Sequence, residues 1–272
     1  MNMKKIAVVT GASSGIGAET AKLLVKHGFV VYGAARRVDK MQRLLEDGIR
    51  LLEMDVTDDA SMVNGVGEVL AAEGRVDVLV NNAGYGSYGA LEDVPMHEAR
   101  YQFEVNIFGM ARLTQLVLPT MRQQGSGRII NISSIGGKIG EPHGAWYHAT
   151  KFAVEGLSDS LRMELKQFGI DVVIIEPGAI KTEWNAIARE NLLKVSGQTA
   201  YGQLAAKHVQ MLLNADKWGS EAIVVAKTIA KSATVGKPKT RYATGGGAKL
   251  ILFARKLLSD RQFDGVMLGQ MK

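Results

Sequence analysis

The sequence of 272 residues contains no cysteine. That excludes a disulfide framework, thiolate catalysis and any cysteine-based metal site. It suits a reducing compartment, and a cytoplasmic location is expected. Proline is scarce, at five residues, and no Pro/Ser-rich linker, internal repeat or low-complexity stretch divides the chain. It is therefore read as a single domain over 1-272. No apolar run approaches the roughly 18 residues needed to span a bilayer, so no transmembrane segment is expected. The run Ile6-Ala7-Val8-Val9 behind Lys4-Lys5 imitates a signal peptide but stops at Thr10-Gly11, which marks a buried first strand instead.

What is present is apolar and uneven in charge. Hydrophobic residues make up 46% and charged ones 22%, enough for a sizeable core and against disorder. The net charge of +6 is concentrated late: Lys227 to Lys272 holds ten Lys/Arg against Asp260 and Asp264. The basic C-terminal segment 236-272 is read first as a solvated face, with anionic partners as the alternative.

β-Branched apolar runs alternate with helix-length segments. Strands are expected at Ile6–Thr10, Val30–Ala34, Ile49–Glu53, Val76–Val80, Arg128–Ile132 and Val172–Ile175, with a last one near Arg241–Thr244. Helices are expected at Ile16–His27, Asp58–Ala72, His97–Met121 and Tyr147–Phe168. The pattern predicts a Rossmann-like, doubly wound parallel α/β sheet with helices on both faces. Residues 181-218 read as short helices without a strand and are assigned as a substrate lid. A final helix near Lys249–Leu258 carries Leu250, Phe253, Ala254, Leu257 and Leu258 on one stripe. Packing on the domain or on a partner subunit is expected for that stripe, ahead of an interfacial membrane helix.

The turn Thr10-Gly11-Ala12-Ser13-Ser14-Gly15-Ile16-Gly17 follows the first strand and opens a helix. Glycines there let backbone approach a pyrophosphate, and free helix N–H groups face its charge. Dinucleotide sites that prefer NAD usually place an acid at the end of the second strand. Here the stretch is Gly33-Ala34-Ala35-Arg36-Arg37, and guanidinium groups pair with a 2′-phosphate that a carboxylate would repel. NADP(H) is the expected cofactor, with Arg36 the first choice for that contact and Arg37 the second.

Tyr147 and Lys151 stand four residues apart on one helical face. An ammonium, with the positive nicotinamide of an oxidised cofactor, is expected to lower the phenol's pKa and make it an acid–base catalyst. Asn131-Ile132-Ser133-Ser134 ends the fifth strand at the sheet edge where ligands of such folds bind. A serine there can hydrogen-bond a carbonyl oxygen that gains charge. A merely structural, turn-capping role suits Ser133 better than Ser134.

Taken in order, Thr10–Gly17, Asp55, Asn81-Asn82-Ala83-Gly84, Asn106, Ser134, Tyr147, Lys151 and Pro177-Gly178 resemble the short-chain dehydrogenase/reductase family. The likeness runs motif by motif from Lys4 to Trp184 and is loose beyond. It leans toward the branch with steroid- and retinoid-type dehydrogenases. The resemblance implies that Tyr147 is the proton donor of carbonyl reduction and that Lys151 binds the nicotinamide ribose and tunes Tyr147. It implies that Ser134 orients the carbonyl, with Ser133 the alternative. Asn106 resembles the asparagine that breaks a helix and holds a water for a proton relay to Lys151. Gly11, Ser13, Ser14, Gly15, Ile16 and Gly17 would cradle the pyrophosphate. Asp55 and Val56 would meet the adenine, Asn82, Ala83 and Gly84 would line the cofactor, and Pro177, Gly178, Ile180 and Thr182 would clamp the carboxamide. No metal is expected.

The implied activity is hydride transfer between NADP(H) and the carbonyl or secondary alcohol of a small hydrophobic substrate. Trp184, Ile187, Ala188, Leu192, Leu193 and Tyr201 are candidate pocket walls, with Tyr85, Tyr88, His143 and Trp146 opposite; His148 is a further candidate for substrate contact. A homodimer or homotetramer is the expected assembly, paired through the helices that carry Asn106 and Tyr147. A non-catalytic NADP(H)-binding redox sensor or interaction protein is the alternative, disfavoured because Tyr147 and Lys151 are both intact. No nucleic-acid partner is expected.

Overall fold

β-Branched runs buried on both faces have one outlet, a sheet covered by helices on either side, and the computed structural model has this arrangement. It describes residues 4–271, apart from the side chains at 183 and 184. In chain order the elements are β1 (Ile6–Thr10), α1 (Gly15–Lys26), β2 (Val30–Ala35), β3 (Arg50–Glu53), α2 (Asp59–Glu73), β4 (Val78–Asn81) and α3 (Met96–Phe103). There follow α4 (Gly109–Gln124), β5 (Gly127–Ile132), α5 (Ala145–Leu165), β6 (Ile170–Pro177), β7 (Ile180–Lys181), α6 (Glu183–Ser196) and α7 (Gly202–Trp218). The chain ends with β8 (Ser220–Glu221), α8 (Ala222–Thr234), β9 (Arg241–Thr244), α9 (Ala248–Leu257) and α10 (Asp260–Gly269).

Seven strands pair in the order β3-β2-β1-β4-β5-β6-β9, all parallel. The order reverses between β1 and β4, the switch point at whose C-terminal edge ligands of open α/β sheets bind. Alternate residues of each strand serve opposite faces. Ala7, Val9 and Val31 pack with Ala18, Ala21 and Leu24 of α1 and with Val225, Ile229 and Ala233 of α8. Val8, Tyr32 and Leu79 pack with Met62, Val66 and Val69 of α2 and with Leu113, Val117 and Met121 of α4.

The chain departs from the sequence reading in five places. The helix expected over His97–Met121 is interrupted by a π-helical stretch, Glu104–Phe108, centred on Asn106. Residues 181-218 form two full helices of 14 and 17 residues rather than short ones, flanked by the two-stranded pair β7-β8. Helix α8 was not anticipated, because β-branched Ile223, Val224 and Val225 mask its period. Helix α10 was also missed, although Ser259 and Gln262 form a capping box that marks its start.

The fifth departure is α9. Its inner side is held by Ile251 and by the adjoining Leu258, which pack with Ile139, Phe263 and Met267. Leu250, Phe253 and Leu257 of the expected packing stripe point outward, at 72%, 60% and 66% exposure. Only part of the apolar surface of this helix faces the domain. No helix among the described residues is long and apolar enough to cross a membrane.

Candidate functional site

The β1–α1 turn is shaped by contacts that only glycine permits. A Cβ on Gly17 would fall 2.2 Å from the Gly11 carbonyl oxygen, and Gly11 itself sits at φ +65°. The turn therefore folds tightly enough to leave Gly11, Ser13, Ser14, Gly15 and Ile16 lining an open cleft, with Gly17 packed beneath. The hydroxyl of Thr10 accepts hydrogen bonds from the backbone N–H of Asn82 (3.0 Å) and Ala83 (2.9 Å). Asn82 Nδ2 donates to the Thr10 carbonyl at 2.9 Å. These bonds fasten the Asn82-Ala83-Gly84 segment to the turn, a role for Thr10 that the motif reading left unassigned.

The cleft, about 480 Å³ in volume, runs along the C-terminal edge of the sheet. Arg36, Arg37, Asp55 and Val56 line one part of it, and Ser133, Ser134, Tyr147, Lys151, Pro177, Gly178, Ile180 and Thr182 line another. The Arg36 guanidinium donates to the Tyr101 hydroxyl at 2.7 Å and lies 4.0 Å from the Asp55 carboxylate. Tyr101 also lines the cleft, as does Asn185, whose Nδ2 donates to the Ile180 carbonyl at 2.8 Å. Neither belongs to a motif recognised in the sequence.

Asn106 does not line the cleft. The π-helical turn buries it, with Nδ2 donating to the Tyr85 carbonyl (2.8 Å) and to Thr150 Oγ1 (3.0 Å) and Oδ1 accepting from Tyr85 N–H (2.8 Å). It joins the β4 loop to α5 one residue from Lys151. Lys151 is buried, and its Nζ donates to the Ile132 carbonyl at 3.0 Å while lying 5.8 Å from the centre of the Tyr147 ring.

Two expectations about this end are corrected. Ser134, not Ser133, caps the following turn, its Oγ accepting from Gly136 N–H at 3.0 Å. The same hydroxyl is hydrogen-bonded to Tyr147, so capping and cleft-lining coincide in one residue. The Ser133 hydroxyl is buried without a partner among the described residues.

The second correction concerns ionisation. Lys151 and an oxidised nicotinamide together are expected to lower the Tyr147 pKa; the protein's own groups act the other way, burial pushing it up to about 12 while Ser134 opposes that and the Glu141 carboxylate adds to it. Burial also pushes Lys151 down to about 8. Desolvation penalises both charged forms, and the ammonium is spent on a backbone carbonyl, so the phenol stays protonated.

Beside Tyr147 lies a buried polar cluster that the sequence did not announce. Tyr88 donates to Glu141 at 2.9 Å, and His148 and His208 lie 3.7 and 4.0 Å from the same carboxylate oxygen. His143 and His208 share a 3.1 Å contact between their Nδ1 atoms. The rings of Tyr88 and His148 each lie 5.6 Å from that of Tyr147. His143 adopts φ 62°, the only positive φ outside glycine among the described residues. Burial and the neighbouring His208 push His143 down to about 4, and burial also lowers His208. Burial works against protonated His148, but Glu141 outweighs it and the pKa is raised; His148 in turn lowers Glu141 despite burial.

These shifts set the response to acid. The unfolded chain protonates His143 near 6.5, the folded chain only near 4, so stability declines as pH falls across that window, and His208 acts in the same sense. Glu141 adds a loss at still lower pH, as it protonates through its lowered pKa. His148 has the opposite sign and stabilises at low pH. A His143→Asn variant, which tolerates positive φ and does not titrate, is expected to flatten the decline. Melting temperature at pH 7 and pH 4.5 should differ by about 3 °C less than in the parent; an unchanged difference contradicts the assignment.

The proposed pocket walls divide. Ile187 and Tyr85 line the cleft. Tyr88, Ala188 and Leu192 form a buried cluster with Ala205, packed against Tyr147. Leu193 is exposed, Trp146 faces Phe103 in a separate cavity, and Tyr201 hydrogen-bonds Glu92. The Trp184 side chain lies outside the described residues. No group of three or more His, Cys, Asp or Glu suited to a metal ion occurs among the described residues.

Comparison with known proteins accounts for this architecture. A family model described as short chain dehydrogenase matches residues 5–192. An uncharacterized oxidoreductase, YusZ of Bacillus subtilis, is 39% identical over 97% of both chains. An NADPH-dependent 3-dehydrocapnine reductase of Ornithobacterium rhinotracheale is 34% identical over 98% of both. The crystal structure of a short-chain dehydrogenase from Streptomyces avermitilis superposes with a TM-score of 0.80 at 36% identity, covering 98% of this chain and 95% of that one. With its parallel sheet, glycine turn and cleft at the switch point, the chain belongs to the short-chain dehydrogenase/reductase family and is an oxidoreductase.

Proposed function

We propose that the protein reduces the carbonyl of a hydrophobic ketone or aldehyde with NADPH, using Tyr147 as proton donor. The observation that carries this reading is convergence: one cleft is lined by the glycine turn, by Arg36 and by Ser134, Tyr147 and Lys151. The cradle fits a dinucleotide: Gly15, at φ +54°, lines the cleft at the N-terminus of α1, and a Cβ there would project toward Thr182 across it. Gly11 to Ile16 would hold the pyrophosphate, Asp55 and Val56 the adenine, and Pro177, Gly178, Ile180 and Thr182 the carboxamide. When bound, NADP(H) supplies or accepts the hydride.

The residues of the chain supply position and proton. Ser134, held by Gly136 and hydrogen-bonded to Tyr147, orients the substrate oxygen and stabilises the charge that develops on it. Tyr147, protonated at neutral pH, donates its phenolic proton to that oxygen. Lys151, close to its titration point near 8, restores the proton with water held near Asn106. A phenol held protonated suits reduction better than oxidation, in keeping with the Ornithobacterium relative, an NADPH-dependent reductase. Arg36 favours NADP(H) because nothing acidic replaces it at the end of β2. Helices α6 and α7, through Ala188, Leu192 and Ala205, close over Tyr147 as the apolar lid. Side-by-side titration of NADPH and NADH tests the cofactor half: NADPH should bind at least about tenfold tighter, and equal affinity would contradict it.

The assembly we propose is a homodimer or homotetramer. Phe108, Phe152 and Met163 are exposed on the π-helical turn and α5, an apolar face suited to a symmetric partner. A Phe108→Glu/Phe152→Glu variant should sediment as a smaller species than the parent. An unchanged mass would place the interface elsewhere.

A further inference from the structure

We propose that the outward face of α9 docks the protein onto the surface of an anionic lipid bilayer. This goes beyond the reductase reading and does not depend on it. Leu250, Phe253 and Leu257 project from one side of the helix at 60% exposure or more. Lys249 and Lys256 are exposed on that same side. The opposite side is anchored through Ile251 and the adjoining Leu258 to Phe263 and Met267 of α10 and to Ile139. The apolar row is thus held outward by a packed helix and is not a frayed end.

Charge decides among the occupants. α9 contains no acidic residue, and the first one after it, Asp260, is paired with Arg255 at 2.5 Å. A second copy meeting this face about a twofold axis would bring Lys249 and Lys256 against each other's counterparts, with no carboxylate on the helix to compensate. An anionic bilayer accepts both features together: the apolar row enters the acyl boundary, and the lysines reach outward to the headgroups. The surrounding segment agrees, with ten Lys/Arg against two acids from Lys227 to Lys272. Exposed Trp218 packs against the Gly246-Gly247 turn that opens α9, closely enough that a side chain at either glycine would meet its ring. Aromatic rings of this kind favour the headgroup level.

The turn that opens α9 is tied to the cleft. Gly178, which lines it, donates to the Thr244 carbonyl at 2.9 Å, and Ala179 donates to the Gly246 carbonyl at 3.0 Å in the turn that starts α9. Docking by α9 would therefore bring to the lipid surface the helix whose opening turn holds the cleft's clamp segment.

Flotation of the full-length protein with vesicles tests the proposal, using phosphatidylcholine with phosphatidylserine against phosphatidylcholine alone. The expected result is binding to the anionic vesicles that weakens as salt is raised. A Leu250→Ser/Phe253→Ser/Leu257→Ser variant should bind about tenfold less, and Lys249→Glu/Lys256→Glu should bind less while melting at the parental temperature. Light scattering is read on the same samples. Absence of binding by the parent, equal binding to neutral vesicles, or undiminished binding by a folded triple variant overturns the proposal. So does a fall in oligomer mass in the triple variant, which would make this face a subunit interface.

Discussion

Replacing Tyr147 with Phe is expected to lower turnover of a ketone by about 10³-fold while leaving NADPH affinity within about twofold. The substitution removes one oxygen and keeps the ring that packs against Tyr88, Ala188 and Leu192. The lid and the cleft should therefore survive, and a loss confined to kcat isolates the proton. Burial holds the phenol protonated, up to about 12, so the parent should show no activity limb from Tyr147 across the neutral range. Burial pushes Lys151 down to about 8. Reduction should slow as pH rises through that value, because the neutral amine no longer resupplies the proton. If the Phe variant retained more than about a tenth of parental turnover, Tyr147 would not be the donor.

Arg36→Asp is the second large effect. Loss of the guanidinium removes charge-assisted bonds to a 2′-phosphate, worth about 1.5–3 kcal/mol, and the carboxylate adds repulsion. NADPH should bind about 100-fold more weakly, and NADH should bind as well as before or better, since an acid at this position can accept from ribose hydroxyls. Arg36 now shares its surroundings with Tyr101 and Asp55. The new carboxylate would stand near Asp55, so melting temperature is measured alongside. Arg37→Asp should change the NADPH to NADH ratio by less. Equal losses at the two positions would show general charge attraction and no specific phosphate contact.

Legibility in the sequence follows physical rules. The central strands stand out because a strand buried on both faces carries a continuous apolar run, as Ile6-Ala7-Val8-Val9 and Val172-Val173-Ile174-Ile175 do. The glycine turn is legible because the Gly17–Gly11 approach admits no side chain. Helix α8 hides because its Ile and Val residues also suit a strand, and only packing against α1 settles its form. Side chains brought together by tertiary contact leave no local signal. Glu141, His148 and His208 share a carboxylate although His208 lies 67 positions beyond Glu141 in the chain, and Tyr101 reaches Arg36 across 65 positions.

Ionisation fails for a related reason. The spacing of Tyr147 and Lys151 indicates that an ammonium is near, but not that Lys151 donates to Ile132 or that both groups are dehydrated. Burial, a property of the whole fold, reverses the direction that the spacing suggests. The outward turn of Leu250, Phe253 and Leu257 is likewise invisible in the helical period, which shows that an apolar stripe exists but not which way it faces.

The most direct test of the account is the loss of reduced-nicotinamide absorbance when the purified protein, saturated with NADPH, meets a panel of hydrophobic ketones and aldehydes. The account predicts NADPH consumption with at least one member, one alcohol formed per NADPH oxidised, and a slower reaction with NADH. Tight NADPH binding with no consumption across the panel would contradict it and favour a nucleotide-sensing role for the same cleft.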